Sequence, residues 1–215
     1  MPVFSPSTFF QSVTPGALWR AIWPQRDTNA VVALIGATKF SEYSVYVQAR
    51  GWLWPLRLWV SGAHQVAIWA YTSPDGWHMR VNEELWDHVV SGEVKGFTSV
   101  LNSALSKMNH HSGTVYRGYS DEDVDFFIDG YEVGNIREFA GFTSATKALD
   151  LAFYGNILFV VHSRDTPNED RFPDVERFSA VPEEKEVLFH AGTRFKVRAV
   201  ARVEESAIIE LEQVP

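Results

Sequence analysis

The sequence predicts an α+β domain, with helices in its first half and strands in its second. Two observations carry this expectation. Between residues 65 and 108 apolar residues recur at helical spacing, most clearly Phe97, Val100, Leu101, Leu105 and Met108. From Thr114 onward the apolar runs are short and are separated by glycine and polar turn residues, as strands are. Helices grouped apart from such strands are the mark of the α+β class.

Taken in order, residues 1 to about 30 read as an irregular arm with one short helix near Ala17–Trp23, and Tyr43–Gln48 alternates as a strand would. Six tryptophans (Trp19, Trp23, Trp52, Trp54, Trp59 and Trp69) fall early and read as core packing. Gln65–Thr72, Met79–Val90 and Val94–Met108 are the expected helices, with a turn at Ser73–Gly76. Thr114–Gly118 is a short strand, and Asp121–Asp129 an acidic helix and turn. Gly141–Thr143 reads as extended, with a helix from Thr146, a candidate N-cap, to about Ala152. Asn156–His162 is a buried strand. Ser163–Glu176 is a polar surface loop. Phe195–Val203 is a strand with Arg194, Lys196, Arg198 and Arg202 on one wet face, and Ala207–Leu211 is the last strand.

Composition narrows the function. The 215 residues suffice for one generous domain, or one domain with an extension. A formal net charge of -8 disfavours a nucleic-acid partner, which needs a basic face. Cysteine is absent, which excludes disulfides, thiolate nucleophiles and Cys-ligated metals. No two of the seven histidines have metal-ligand spacing on a shared face, so no metal is expected. Walker, dinucleotide and nucleophile-elbow motifs are also missing. The best apolar run, Trp52–Val60, is too short to span a membrane and contains Pro55 and Arg57. Met1–Pro15 lacks the features of a secretory signal peptide. A soluble protein is expected, one that leaves its cell, if it does, by another route.

Three stretches carry chemistry. Arg117 sits among apolar neighbours and needs an anionic partner, either a structural carboxylate or a diphosphate. Ser144 and Thr146 place two hydroxyls on one face of an extended segment. Glu184 and Glu186 precede the apolar run Val187–Phe189 and follow a turn, Ser179–Pro182, presented by Phe178. If they are on a strand, both carboxylates project from one face. Such a pair suits stabilisation of a developing cation and handling of an incoming group; it is also what a solvated acidic turn looks like.

The order Tyr116-Arg117-Gly118, Phe142-Thr143-Ser144-Ala145-Thr146, Glu184-Lys185-Glu186-Val187-Leu188 resembles the arginine–serine–glutamate class of mono-ADP-ribosyltransferases, related to cholera toxin and the C3 exoenzymes. Ile68–Thr72 with Asn82, Phe178–Pro182 and Gly192–Val197 extend the resemblance over residues 65 to 213. It implies a fold of two small, mostly antiparallel sheets at a steep angle, with NAD in the cleft between them and helices on one flank. The catalytic domain would be residues 62–215, and residues 1–61 an extension for delivery, target binding or cover of the core. It further implies that Arg117 holds the NAD diphosphate and ribose, that the Gly118 backbone pairs with the nicotinamide amide, and that Phe153 lies against that ring. Ser144 would orient Glu186, Thr146 would support the strand, and Asn156 falls where some toxins carry a phosphate-binding arginine. Glu186 would bond the nicotinamide-ribose 2′-hydroxyl, and Glu184 would receive the acceptor. The pair Glu-x-Glu points to an arginine side chain of a protein acceptor. Ser-Ala-Thr stands where the class has Ser-Thr-Ser. A bacterial or phage effector, with an immunity or delivery partner, is the expected setting. An NAD glycohydrolase toxin and a non-catalytic binding domain are the alternatives.

Overall fold

The structure is a computed structural model that describes residues 25–49, 60–163 and 172–215. Five helices come first: α1 (Gln25–Ile35), α2 (Ala37–Ala49), α3 (Gly62–Thr72), α4 (Trp77–Trp86) and α5 (Gly92–Leu105). A short α6 (Val124–Asp129) follows later. The strands are β1 (His110–His111), β2 (Thr114–Tyr119), β3 (Ile136–Phe139), β4 (Thr143–Thr146), β5 (Ile157–His162), β6 (Phe172–Pro173), β7 (Glu186–Phe189), β8 (Thr193–Val203) and β9 (Ser206–Val214).

The helices start where the sequence offers caps. The Ser61 hydroxyl accepts from the His64 N–H at 3.3 Å, and the Ser61 N–H donates back to His64 Nδ1 at 3.1 Å. This reciprocal pair satisfies donors that the first turn of α3 leaves open. Ser91 caps α5 through Val94. The inner face of α5, from Val94 to Leu105, packs against α1 and α3 in a helical core that also takes Tyr43 and Val47 of α2. Residues 43–48 are therefore helical, contrary to the expected strand. Tyr43, Ser44 and Val47 are buried while Val45 and Tyr46 stay exposed, which is a helical spacing. Helix α4 stops at Trp86, four residues before the expected end. Of the early tryptophans Trp69 packs against this core; Trp19, Trp23, Trp52, Trp54 and Trp59, and the expected Ala17–Trp23 helix, lie outside the described residues.

Seven strands form one sheet in the order β3-β8-β9-β5-β2-β4-β7, antiparallel except for the β5–β9 pair, and β1 pairs with β6 in a second, two-stranded sheet. The expected two small sheets are joined here, because β2 touches β4 through a single registered pair, Tyr116 with Thr146. Beyond that join β4 and β7 run antiparallel, Ser144 opposite Leu188 and Thr146 opposite Glu186. One face of this pair, with Leu188, meets the helical core. The other, with Ala145 and Val187, meets an aromatic-rich core under the larger part of the sheet. The chemistry-bearing strands thus lie where the two cores meet.

Two further expectations are corrected. The end of the expected 163–176 surface loop is buried, with Phe172, Pro173 and Val175 inside; Phe172 stacks edge-on against Phe189. Arg202 does not share a face with Arg194 and Lys196. A bulge between Val197 and Ala199 inserts one residue, so Arg202 pairs with Ala207 on the core-facing side and reaches Asp125 of α6.

Candidate active site

Glu186 is the centre of the site. It begins β7 and its side chain is buried. The pleat places it on the same face as Ser144 and Thr146 of β4. The Ser144 hydroxyl donates to Glu186 Oε1 at 2.5 Å, and the Ser179 hydroxyl donates to Oε2 at 3.4 Å. Burial, helped by the charge of Glu184, pushes the Glu186 pKa up to about 7, while the two hydroxyls and Arg117 pull the other way. A carboxyl so placed is poised to be ionised just where physiological chemistry runs.

Arg117 comes from β2, opposite Phe159 of β5. Its Nη1 donates to the Ser144 carbonyl at 2.8 Å. Burial lowers its pKa, yet a guanidinium keeps its proton in a protein. Among the described residues no carboxylate lies within ion-pair distance of it. The two alternatives for Arg117 thereby separate: among the described residues no carboxylate supplies the anion it needs.

The turn before β7 brings in Glu184 by a route the sequence did not suggest. Glu184 ends a short 3-10 turn (Pro182–Glu184), and Lys185 follows in the left-handed region at φ 50°. The two glutamates are thus not neighbours on one strand face. Glu184 is half-buried outside the strand, its pKa raised by burial and by Glu183, and Glu186 is inside. Thr146 fixes this turn by donating to the Glu184 carbonyl at 2.8 Å. Thr146 ends β4 and also accepts from the Ala148 N–H; only a 3-10 turn at Leu149–Leu151 follows, not the expected helix. Lys147 ties the far side of the turn through Asp174 at 2.7 Å and Glu176 at 2.6 Å. The Thr72 hydroxyl accepts from the Ala180 N–H at 2.8 Å. Phe178 packs half-buried against the helical core.

Helices set the approach of β4. Asn82 of α4 donates to the Phe142 carbonyl and accepts from the Phe142 N–H, both at 3.0 Å, and the Tyr71 hydroxyl donates to the same carbonyl at 3.2 Å. Gly141 lies so close that a Cβ there would meet Asn82 Oδ1 at 2.8 Å. The residues 147–156 then fold back on β2. A Cβ on Gly118 would lie 1.7 Å from the Phe153 carbonyl oxygen, so only glycine fits.

A small cavity of about 20 Å³ is lined by Arg117, Ser144, Thr146, Phe153, Glu184 and Glu186, among others. Six of the eight residues singled out in the sequence therefore converge. Gly118 and Asn156 are not among the residues that line this cavity. The Asn156 side chain bridges the Asp121 backbone, accepting from its N–H at 3.0 Å and donating to its carbonyl at 2.7 Å. Sequence reasoning missed Ser179, the second hydroxyl on Glu186; its only signal was a serine in the turn before the acidic pair. A second cavity of about 300 Å³ adjoins along Arg117, walled by Tyr119, Phe127, Tyr131, Phe139 and Trp86.

The profile of the NAD:arginine ADP-ribosyltransferase family matches residues 37–214. The chain belongs to this family. A Mycobacterium avium (strain 104) protein, Mav, provisionally named an NAD(+)–arginine ADP-ribosyltransferase, is 32% identical over 136 residues. That match covers 61% of this chain and 15% of Mav, so the chain spans less than a sixth of that relative. Among solved structures, the ADP-ribosyltransferase HopU1 of Pseudomonas syringae superposes with a TM-score of 0.70 at 18% identity, over 81% of this chain and 87% of HopU1. The type III effector XopAI of Xanthomonas axonopodis superposes with a TM-score of 0.69 at 18% identity, over 93% and 96% of the two chains. These two show that the fold is an ADP-ribosyltransferase fold. NAD, the co-substrate in the family's description, fits the site's chemistry: a guanidinium without a carboxylate partner among the described residues, a buried carboxylate and an aromatic cavity. Among the described residues no group of three or more metal-ligating side chains occurs. No helix among them is long and apolar enough to cross a membrane.

Proposed function

We propose that this chain transfers ADP-ribose from NAD to an arginine side chain of a protein acceptor and releases nicotinamide. The carrying observation is Glu186, buried and held by two hydroxyls beside a guanidinium that meets no carboxylate among the described residues. In this reading the diphosphate of NAD answers Arg117, with Gly118 and Phe153 at the nicotinamide end. Glu186, oriented by Ser144, holds the ribose 2′-hydroxyl and stabilises the cationic centre formed as the bond from C1′ to the nicotinamide nitrogen breaks. The bonding electrons leave with nicotinamide as a neutral base, so no general acid is required. A nitrogen of the acceptor guanidine attacks C1′ and its proton goes to Glu184, whose half-exposed position suits an incoming group. One preorganised charge of this kind is worth about 3–4 kcal/mol in a barrier. Thr146 supports the turn. Asn156 is left out of the phosphate contact, because its amide is engaged by Asp121.

Residues 62–215 would carry this machinery, with α1 and α2 as cover for the helical core. The likeness to XopAI supports a bacterial or phage effector setting. The test is incubation with NAD labelled on its adenosine side, in the presence of a cell lysate. Nicotinamide release together with label in protein is the expected result. Release with all label in free ADP-ribose would make the chain a glycohydrolase, and no release would make it a binding domain.

A further inference from the structure

The larger cavity has a cation the reaction chemistry above does not use. Arg137, on the edge strand β3, lines it, with its guanidinium carbon 5.2 Å from the centre of the Tyr131 ring. Among the described residues the Arg137 guanidinium has no ion pair and no hydrogen bond to a side chain or carbonyl. Several other basic residues of this half of the chain are engaged: Arg202 by Asp125, Arg198 by Glu212, Arg194 by the Pro215 carbonyl, Lys147 by Asp174 and Glu176. Ion pairs are thus available to cations here, and the Arg137 guanidinium instead sits over the Tyr131 ring, with no ion pair among the described residues.

The surroundings specify the ligand. Tyr119, Phe127, Tyr131, Phe139 and Trp86 wall the cavity, and Arg117 forms its boundary with the small cavity that holds Glu186. A molecule spanning both would present an anion to the space between Arg117 and Arg137 and a flat ring to the aromatic walls. Glu138 is the one acid in the lining and suits a sugar hydroxyl rather than a phosphate. Asn156 is committed elsewhere, its amide holding the Asp121 backbone.

We propose that Arg137 is a second anchor for the diphosphate of NAD and that this aromatic cavity takes the adenosine end. The proposal rests on the NAD reading of the site. A guanidinium already held over an aromatic ring loses little freedom on meeting a phosphate, and its fork can bond two oxygens at once. Arg137 is exposed, so its replacement leaves the fold alone.

Calorimetric titration of wild type, Arg137→Gln and Arg137→Lys with ADP-ribose and with nicotinamide mononucleotide tests it. Arg137→Gln is expected to weaken ADP-ribose at least tenfold and Arg137→Lys by less, with nicotinamide mononucleotide within twofold throughout. Equal ADP-ribose affinity for wild type and Arg137→Gln would overturn the proposal, and so would an equal loss for both ligands. If wild type bound neither ligand, the NAD reading would fail and this inference with it. Parity of Arg137→Gln with wild type would remove the inference alone.

Discussion

Glu186→Gln is expected to lower nicotinamide release about a hundred- to a thousandfold, both with and without an arginine acceptor, and to make the protein more stable at pH 8. The catalytic loss follows from the removal of one charge aimed at the forming cation in a site screened from water. Glutamine keeps the shape and can still accept from Ser144, so binding of ADP-ribose should change little. The stability gain follows from the same burial. The folded-state pKa of Glu186 is about 7, above the ordinary carboxyl value of 4.5. Between those two values the folded chain holds a proton that the unfolded chain releases. Stability from this group is therefore full below pH 4.5, falls as pH rises to about 7, and stays low above. Glutamine removes that loss. The variant should exceed wild type by on the order of 2–3 kcal/mol at pH 8 and match it near pH 4. Urea denaturation at the two pH values reads this directly. Equal stability at both would show that Glu186 is not strained by its burial.

Glu184→Gln is expected to separate the two half-reactions. Transfer to an arginine acceptor should drop at least a hundredfold, while NAD hydrolysis keeps a substantial fraction of its rate. The reason is position. Glu184 stands half-buried outside β7, at the end of the 3-10 turn, whereas Glu186 is inside the strand. Only the first is placed to receive a group arriving from solvent. Water needs no help of that specific kind, since a cationic C1′ reacts with any nearby nucleophile. Parallel assays of labelled acceptor and of free ADP-ribose give the ratio. A variant that transfers to arginine as well as wild type would remove the role given to Glu184.

How much of this was legible in the residues themselves depends on what set each position. The order Arg117, Ser144, Glu186 could be read because three short motifs in sequence resemble those of a known transferase class, where each taken singly is ambiguous. The helices from 62 to 105 could be read because the buried positions recur at helical spacing over more than one turn. Tyr43–Gln48 could not, since six residues alternate as well for a strand as for a helix, and packing on α3 decided the outcome. The geometry of Glu184 was hidden for another reason. A left-handed lysine is set by the closure of the turn, through Thr146 and the Lys185 carbonyl, and has no local signature. Arg202 was displaced by a one-residue bulge that leaves the alternating pattern intact to the eye. Arg137 and Ser179 received no role because a single polar residue acquires one only from what folds against it.

The account depends on Glu186 acting as a carboxylate governed by Ser144. The pH dependence of nicotinamide release at limiting NAD, for wild type and Ser144→Ala, tests this most directly. The wild-type rate should rise with pH through an apparent pKa near 7, as Glu186 loses its proton. Ser144→Ala removes the hydroxyl that favours the charged form, so the rise should move to higher pH. A rate that is flat from about pH 5.5 to 8.5 in wild type, or a rise at the same pH in both proteins, would contradict it.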